Sequence, residues 1–565
     1  MEKIEVKKKR IGDLLIEAGF IDEETLQKSL EIQKQVGGRL GKILIDNNLV
    51  TETQIMEVLE FQLGIPFIDL NEIEIPSEVQ RLIPYQLIYR HNVVPVKLDM
   101  TLLYVAMEDP LDFIAIEDMR MATNYEIVPV ISFSDAIRST INRLYGSETA
   151  DKAIKEFQEE KERNSLASGN LQDIQSLEVD SAPIVRLVNS MIEQAAVSGA
   201  SDIHVEPLEA EVRVRFRIDG RLQLKQSIPK EAQAAVVTRI KILAGLDIAE
   251  KRVPQDGRSD FRVKDKVLNL RVSVLPTVHG EKVVMRLLDK TNFLIPKEKL
   301  GFTKENLSKF DELLKNPHGI ILITGPTGSG KSTTLYTMLS ELNQVTDNIM
   351  TVEDPVEYMI DGLNQVQVNT KAGLTFAGAL RSFLRQDPDI IMLGEIRDVE
   401  TVDVAIRAAI TGHLVLSTLH TNDAVSSISR LIDMGVPSYM IAVSLMGIIS
   451  QRLVRRLCTH CAKEYIPADH EVKFLGLGDG EYIFKAPVGC SFCNNTGYKG
   501  RVAVHEILTI SRGMRDMIAS NESNSVLLDY AIANGMTTLK QESIRLIEEG
   551  ITSFNEVVDI TFSQV

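Results

Sequence analysis

The sequence predicts an α/β protein of several domains, and three observations carry that prediction. An apolar run, Ile320 to Ile323, leads into Gly325-x4-Gly330-Lys331-Ser332 and then into a helical stretch. Two later apolar runs, Ile390 to Leu393 and Leu414 to Leu419, end in polar residues, as parallel strands do when their carboxyl ends face a ligand. The third is size: 565 residues with 44% hydrophobic content imply roughly three to five domains, each with its own core.

The chain opens on an internal repeat. Arg10 to Gln33 and Arg39 to Gln62 superimpose at an offset of 29, with eight identities in 24 positions. The recurring pairs include Arg10/Arg39, Gly12/Gly41, Leu15/Leu44, Leu30/Leu59 and Gln33/Gln62. Each copy reads as a helix, a turn, an acidic cap and a second helix. The leucines serve a small core. A core has no use for a repeated arginine and glutamine, so the polar positions point to a ligand. Residues 71–145 mix short strands, such as Val93 to Val96 and Leu102 to Ala106, with a helix from Ser134 to Leu144, and specify no chemistry. From 146 to 180 the chain is polar and charged and reads as a flexible linker.

An amphipathic helix, Ala182 to Val197, begins an α+β stretch over 181–297. Val212 to Ile218 alternates strictly, with arginines on one face and Val214, Phe216 and Ile218 on the other, and ends in an Asp-Gly turn. Later strands carry Arg271 and Arg286. This row of arginines suits a solvated face, a nucleic-acid track or a subunit interface near phosphate.

Residues 298–455 hold the nucleotide chemistry. In Gly325-Pro326-Thr327-Gly328-Ser329-Gly330-Lys331-Ser332-Thr333 the glycines let successive backbone N–H groups turn toward phosphate oxygens. The following helix adds its positive end, Lys331 reaches the β/γ-phosphates, and Ser332 offers a hydroxyl to Mg²⁺. Met350 to Glu357 ends in three carboxylates. Ile390 to Leu393 ends at Gly394-Glu395, the pattern of a Mg²⁺-holding acid, with Glu where Asp is more usual. His413 and His420 flank the last strand, and these polar ends are expected to converge on the triphosphate.

All four cysteines occur as Cys458-x2-Cys461 and Cys490-x2-Cys493, with 28 residues between the pairs. That spacing predicts a structural zinc site of four thiolates within an insert at 456–500, and free or redox-active thiols are the alternative. Residues 501–565 read as a C-terminal helical domain. A net charge of −17 argues against a nucleic-acid polymer as partner. No apolar run approaches the ~18 residues of a membrane helix. A cytoplasmic protein is expected, with a peripheral seat at a membrane machine.

Taken together, these segments resemble the secretion ATPase superfamily of type II secretion and type IV pili, most closely the pilus-extension ATPases. Ser201 to Pro207 and Phe216 to Gly220 resemble the family's second N-terminal domain. Gly325 to Thr333 resembles its Walker A box, Thr351 to Glu357 its aspartate box, Asp389 to Asp398 its Walker B box, and Thr411 to Thr421 its histidine box. The tetracysteine insert fits the assembly branch. The resemblance implies a RecA-like P-loop ATPase core, an α+β (PAS-like) N-terminal partner domain and a helical N-terminal regulatory domain. It implies a homohexamer that hydrolyses ATP and drives pilin polymerisation through an inner-membrane platform protein and associated cytoplasmic pilus-machine proteins. Glu395 would hold Mg²⁺ and Glu357 would act as general base. His420 would sense the γ-phosphate or the subunit contact, and Arg271 and Arg286 would reach a neighbouring subunit's triphosphate.

The repeat in 1–70 resembles the cyclic di-GMP-binding domain of related pilus ATPases, with Ile11 and Ile55 standing where that pattern has leucine. It implies binding by Arg10, Gly12, Leu15, Leu30, Gln33, Arg39, Gly41, Leu44, Leu59 and Gln62. A type II secretion ATPase, a nucleotide-regulated scaffold with little turnover and a DNA translocase are the competing readings. The intact set of Lys331, Ser332, Glu357 and Glu395 favours a motor over a scaffold.

Overall fold

The computed structural model describes residues 11–36, 154–156, 182–263, 266–289, 294–478 and 480–562, and 65–145 apart from 71–72, 74, 135, 139 and 142–143. Leu40, Leu44, Leu49, Val50, Gln54, Val58 and Glu60 are also described. Most of the expected linker at 146–180 lies outside these residues. The chain divides into two compact units, Met1–Ser259 with Leu270–Leu287, and Asp260–Asn269 with Leu288–Val565.

In the first unit, helices Ile11–Glu17 and Glu23–Val36 meet through a small apolar core of Leu14, Leu15, Ile21, Leu26, Leu44, Val50 and Val58. Asp22 caps the second helix by accepting from the Thr25 N–H at 2.8 Å. Strands β1 (Val93–Asp99), β2 (Leu102–Met107) and β3 (Glu126–Ile131) then form a three-stranded sheet. Helix Phe113–Thr123 carries the chain from β2 to the parallel β3 and is capped by Asp112.

Helix Ala182–Val197 runs over the expected residues and leads into a six-stranded sheet. Its strands are β4 (Ala200–Pro207), β5 (Glu211–Ile218), β6 (Arg221–Pro229), β7 (Gln255–Val263), β8 (Lys266–Thr277) and β9 (Gly280–Asp289), in the order β6-β5-β4-β9-β8-β7. The alternation in β5 falls as its sequence requires: Val212, Val214, Phe216 and Ile218 are buried, and the arginines take the other face.

The second unit is built on a seven-stranded sheet. Its members are β10 (Gly319–Thr324), β11 (Ile349–Glu353), β12 (Asn364–Gln367), β13 (Ile390–Leu393), β14 (Leu414–Leu419), β15 (Leu445–Leu457) and, after a small pair β16 (Lys463–Tyr465) and β17 (Phe484–Ala486), β18 (Tyr498–Thr509). The order is β12-β11-β13-β14-β10-β15-β18, parallel throughout except for the antiparallel β15/β18 pair. The central strands are covered on both faces, which is why they read as unbroken apolar runs. Ile320, Leu322, Ile391 and Leu393 pack into one layer with Val402, Ile406, Val425 and Ile428. Ile321, Ile323, Ile349 and Met392 pack into the other with Phe310, Leu335 and Met338.

One element departs from the expected boundaries. β18 falls mostly within the stretch read as helical, yet it belongs to the core sheet, and the C-terminal helices begin only at Arg512. Sequence reading passed over it because its partner strand lies beyond the cysteine insert. Glu506 on β18 is buried at 2% exposure and accepts from Ala424 N at 2.8 Å and Leu539 N at 3.2 Å, so one carboxylate caps two helices.

Burial pushes the Glu506 carboxyl up to about 7, against an ordinary value of 4.5. The folded chain therefore keeps a proton there that the unfolded chain releases above about pH 4.5. Its stabilising contribution is complete below that pH and is lost as pH rises through 7. Glu506→Gln does not ionise; its single carbonyl oxygen accepts only one of the two N–H groups, which the carboxyl meets with separate oxygens, so the variant is also less stable at every pH. The melting temperature of this unit should fall less steeply between pH 5 and 8 in the variant, measured by calorimetry. Superimposable pH profiles would count against this role.

Candidate nucleotide site

β10 delivers the chain to the edge of the sheet, and the glycine loop turns it into helix Lys331–Leu342. Gly325 has φ +141°, and a Cβ there would sit 2.4 Å from the Gln451 carbonyl oxygen. Gly330 has φ +90°, and its Cβ would meet the Gln451 amide nitrogen at 2.7 Å. Both positions therefore demand glycine, and the same residue enforces both. Gln451, on the neighbouring β15 and 2% exposed, donates to Ser329 O at 2.8 Å and accepts from the Thr334 hydroxyl at 2.6 Å. It holds the loop in its bent form. Pro326 is half-buried and Thr327 and Gly328 are exposed; Ser332 is exposed at the helix start and Thr333 is half-buried.

Lys331 is buried, and its ammonium donates to Gly325 O at 2.7 Å and Pro326 O at 3.0 Å. Burial and the neighbouring Arg452 guanidinium lower its pKa to about 8, against the opposing pull of Glu395.

The three carboxylates after β11 have separate fates. Glu353 is buried at 3% exposure and accepts from the Tyr336 hydroxyl, from Thr351 Oγ1 at 2.8 Å and from Gln365 Nε2 at 3.2 Å. It is an anchor, fully hydrogen-bonded. Tyr336 lies on the helix after the loop, and its hydroxyl also accepts the N–H groups of Glu357 and Tyr358, each at 3.3 Å. Asp354 is exposed and Glu357 half-buried. Glu395, after β13, is 15% exposed at its side chain; it pairs with Arg397, and His420 Nε2 lies 3.4 Å from its other oxygen. The structure thus brings Glu395 and His420 together at the carboxyl ends of β13 and β14.

His413 does not join them, contrary to expectation. It precedes β14, at the opposite end of that strand, and its Nδ1 lies 2.9 Å from Ala408 O. Gln451, Tyr336, Arg397 and Arg452 were missed by sequence reading; only the Gln451-Arg452 pair inside an apolar run offered a signal.

Arg286 belongs to the other unit and donates to Asp202 at 3.1 Å, while Arg271 is half-buried on β8. The arginine row of β5 is largely neutralised from within. Buried Glu206 accepts from Arg215 at 2.7 and 2.8 Å and from Arg213 at 3.3 Å, and Lys282 pairs with it at 2.9 Å. Burial alone would raise the Glu206 pKa, but the hydrogen bonds from Arg215 and Lys282 prevail and hold it at about 2.

The four cysteine sulfurs cluster within 4.8 Å of one another. Cys458–Cys490 and Cys461–Cys493 are 3.8 Å apart, and Cys490–Cys493 3.7 Å. Four thiolates at ~2.3 Å from one tetrahedral ion would sit about 3.8 Å apart, so the donor set could hold a metal. Backbone N–H groups of Gly489, Cys490 and Gly497 point at the sulfurs of Cys461 and Cys493 within 3.3 Å, which stabilises thiolate charge.

Of the proposed cyclic di-GMP residues, Gly12, Leu15 and Leu44 are buried and Leu30 half-buried. Arg10, Arg39, Gly41, Leu59, Gln62 and the Gln33 side chain lie outside the described residues.

Comparison with known proteins places this geometry. Residues 177–559 match the family described as type II/IV secretion system protein, and residues 63–151 match the MshEN domain. The second match begins where the repeat ends and takes in the stretch whose sequence specified no chemistry. The type IV pilus assembly ATPase PilB of Myxococcus xanthus is 42% identical over 562 residues, covering 98% of this chain and 99% of the relative. The type II secretion system protein E of Xanthomonas campestris is 40% identical, covering 98% of each. The X-ray structure of the ATPase DotB of Yersinia pseudotuberculosis shares the fold, with a TM-score of 0.51 and 20% identity over 67% of this chain and 93% of that one. This chain belongs to the type II/IV secretion system protein family and is one of its ATPases.

Proposed function

We propose that the chain is the motor ATPase of type IV pilus assembly. The observation that carries this is the convergence of Lys331, Glu395 and the Glu395–His420 contact at one sheet edge, in a chain similar along its length to a pilus assembly ATPase. Bound ATP and Mg²⁺ would supply the reactive phosphoryl group and its charge neutralisation. The loop N–H groups from Thr327 to Thr333 and the Lys331 ammonium would orient the phosphates, and Ser332 and Glu395 would hold the ion. Glu357 accepts a proton from the attacking water, and His420 reads the γ-phosphate through Glu395. Arg271 and Arg286 of a neighbouring subunit complete the site in a hexameric ring. Force passes to an inner-membrane platform protein from a peripheral cytoplasmic seat in this reading; among the described residues no helix is long and apolar enough to cross a membrane. The 181–297 domain is PAS-like in this reading, the N-terminal repeat domain binds cyclic di-GMP, and the four cysteines hold structural Zn²⁺. Type II secretion is the second reading, favoured by the end-to-end likeness to a type II secretion system protein E.

Three outcomes are expected. Glu395→Gln should bind ATP near parent affinity and lose turnover on the order of a hundred-fold or more, because the ion-holding charge is gone while the cradle is intact. Parent-level hydrolysis in a steady-state phosphate-release assay would remove Glu395 from this role. Purified protein should contain about one Zn²⁺ per chain by atomic emission, and Cys490→Ser should lower thermal stability; zinc-free protein of parent stability would refute the metal site. Calorimetric titration of the full chain should show saturable cyclic di-GMP binding that ATP does not displace. Arg10→Ala should abolish it and Gln62→Ala weaken it, because the guanidinium forks a phosphate and stacks on a base. No heat at tens of micromolar ligand would leave the repeat a structural adaptor.

A further inference from the structure

Arg452 follows Gln451 on β15 and is 8% exposed. Its Nη2 donates to Asn422 O at 3.3 Å and Asn422 Oδ1 at 3.1 Å, both neutral acceptors. Its Nε is buried with no hydrogen-bond partner. Among the described residues no carboxylate pairs with it. Asp423 acts on it through space, but that carboxylate is engaged as the cap of helix Ala424–Asp433, accepting from Ser426 N at 2.7 Å.

A guanidinium buried without a counter-ion is costly, and burial indeed pulls its pKa below the ordinary value. A second buried cation lies nearby, with Glu395 acting on it through space. Lys331 is buried, bonded to two carbonyls, and feels the Arg452 charge. Structural arginines elsewhere in the chain are arranged otherwise: Arg215 and Arg455 are each held by a carboxylate through two nitrogens. Two buried cations with no ion pair of their own, one of them with Glu395 acting on it only through space, at the carboxyl ends of a parallel sheet are the complement of a polyanion. A guanidinium with an unused N–H suits phosphate oxygens in particular.

We propose that Arg452 is a phosphate-binding residue of the nucleotide site, supplied by the same subunit, and that it links the bound phosphate to Asn422 in the segment after His420. The proposal rests on the reading that Gly325 to Thr333 cradle ATP, and it adds a cation distinct from Arg271 and Arg286. Nothing in it requires a second subunit.

The test uses full-length protein in a Glu395→Gln background, so that nucleotide persists. Binding of ATP and of inorganic triphosphate, which has no base or ribose, is measured by competition against a fluorescent ATP analogue. Arg452→Gln should weaken both ligands by the same factor, on the order of ten- to a hundred-fold. A residue that merely supported the fold would not single out the phosphate chain. Arg452→Lys keeps the charge without the fork and should fall between parent and Gln variant; if the Gln variant does not fold, this one decides. Parent-strength triphosphate binding by either folded variant overturns the proposal. If the parent itself binds neither ligand, the nucleotide reading of the loop fails instead, and the two failures are distinguishable.

Discussion

A phosphate cradle must stay bent and cationic while it is empty, and here the hydrogen bonds of Gln451 meet that requirement. One amide, 2% exposed, fixes the loop carbonyl of Ser329 and the hydroxyl of Thr334, while its own backbone closes the space beside Gly325. The β15/β18 ribbon on which Gln451 sits organises much of the ATPase unit. Arg452 holds Asn422; Glu506 caps helices Ala424–Asp433 and Leu539–Glu548; Arg455 donates through two nitrogens to one oxygen of Glu556 in the last helix. The ribbon ends at Cys458, where the cysteine cluster closes the loop between its strands. A metal there would clip the two strands together at the end of the ribbon, beside the last helix that Arg455 holds.

Carboxylates in this protein sort by how completely their lone pairs are used. Glu353 accepts from three side chains and is sealed, and Asp202 and Glu206 are covered by arginines and a lysine. Such acids build structure, because a buried charge persists only when its hydrogen bonds are met. Glu395 is different. Its neighbours Arg397 and His420 are themselves exposed, so this acid is not sealed by buried partners. The same contrast separates Arg452 from the saturated arginines of the sheet in the other unit.

Local pattern made a large part of this legible. The P-loop announces itself because backbone curvature needs glycine at set spacings, and the strands of the core because two-sided burial demands unbroken apolar runs. Strict alternation in Val212 to Ile218 dictated which face is buried, and the Cys-x2-Cys pairs dictated a cluster, since thiolate ligation depends on short loops that sequence spacing records.

Tertiary structure decided the partners. Gln451 lies 117 residues from Thr334 and 122 from Ser329, so no local rule marks it as the loop's brace. His413 and His420 flank one strand and look equivalent in sequence; strand direction sends one to a helix carbonyl and the other to Glu395. Glu353 and Glu357 are four residues apart, yet the Tyr336 hydroxyl donates to the side chain of the first and accepts from the backbone of the second. β18 joined the core sheet because β15 offered an edge, which its own sequence does not reveal. The sequence by itself determined which residue types could perform the chemistry; folding determined which of them were left unsatisfied at the sheet edge, because burial and long-range hydrogen bonding are properties of the assembled chain.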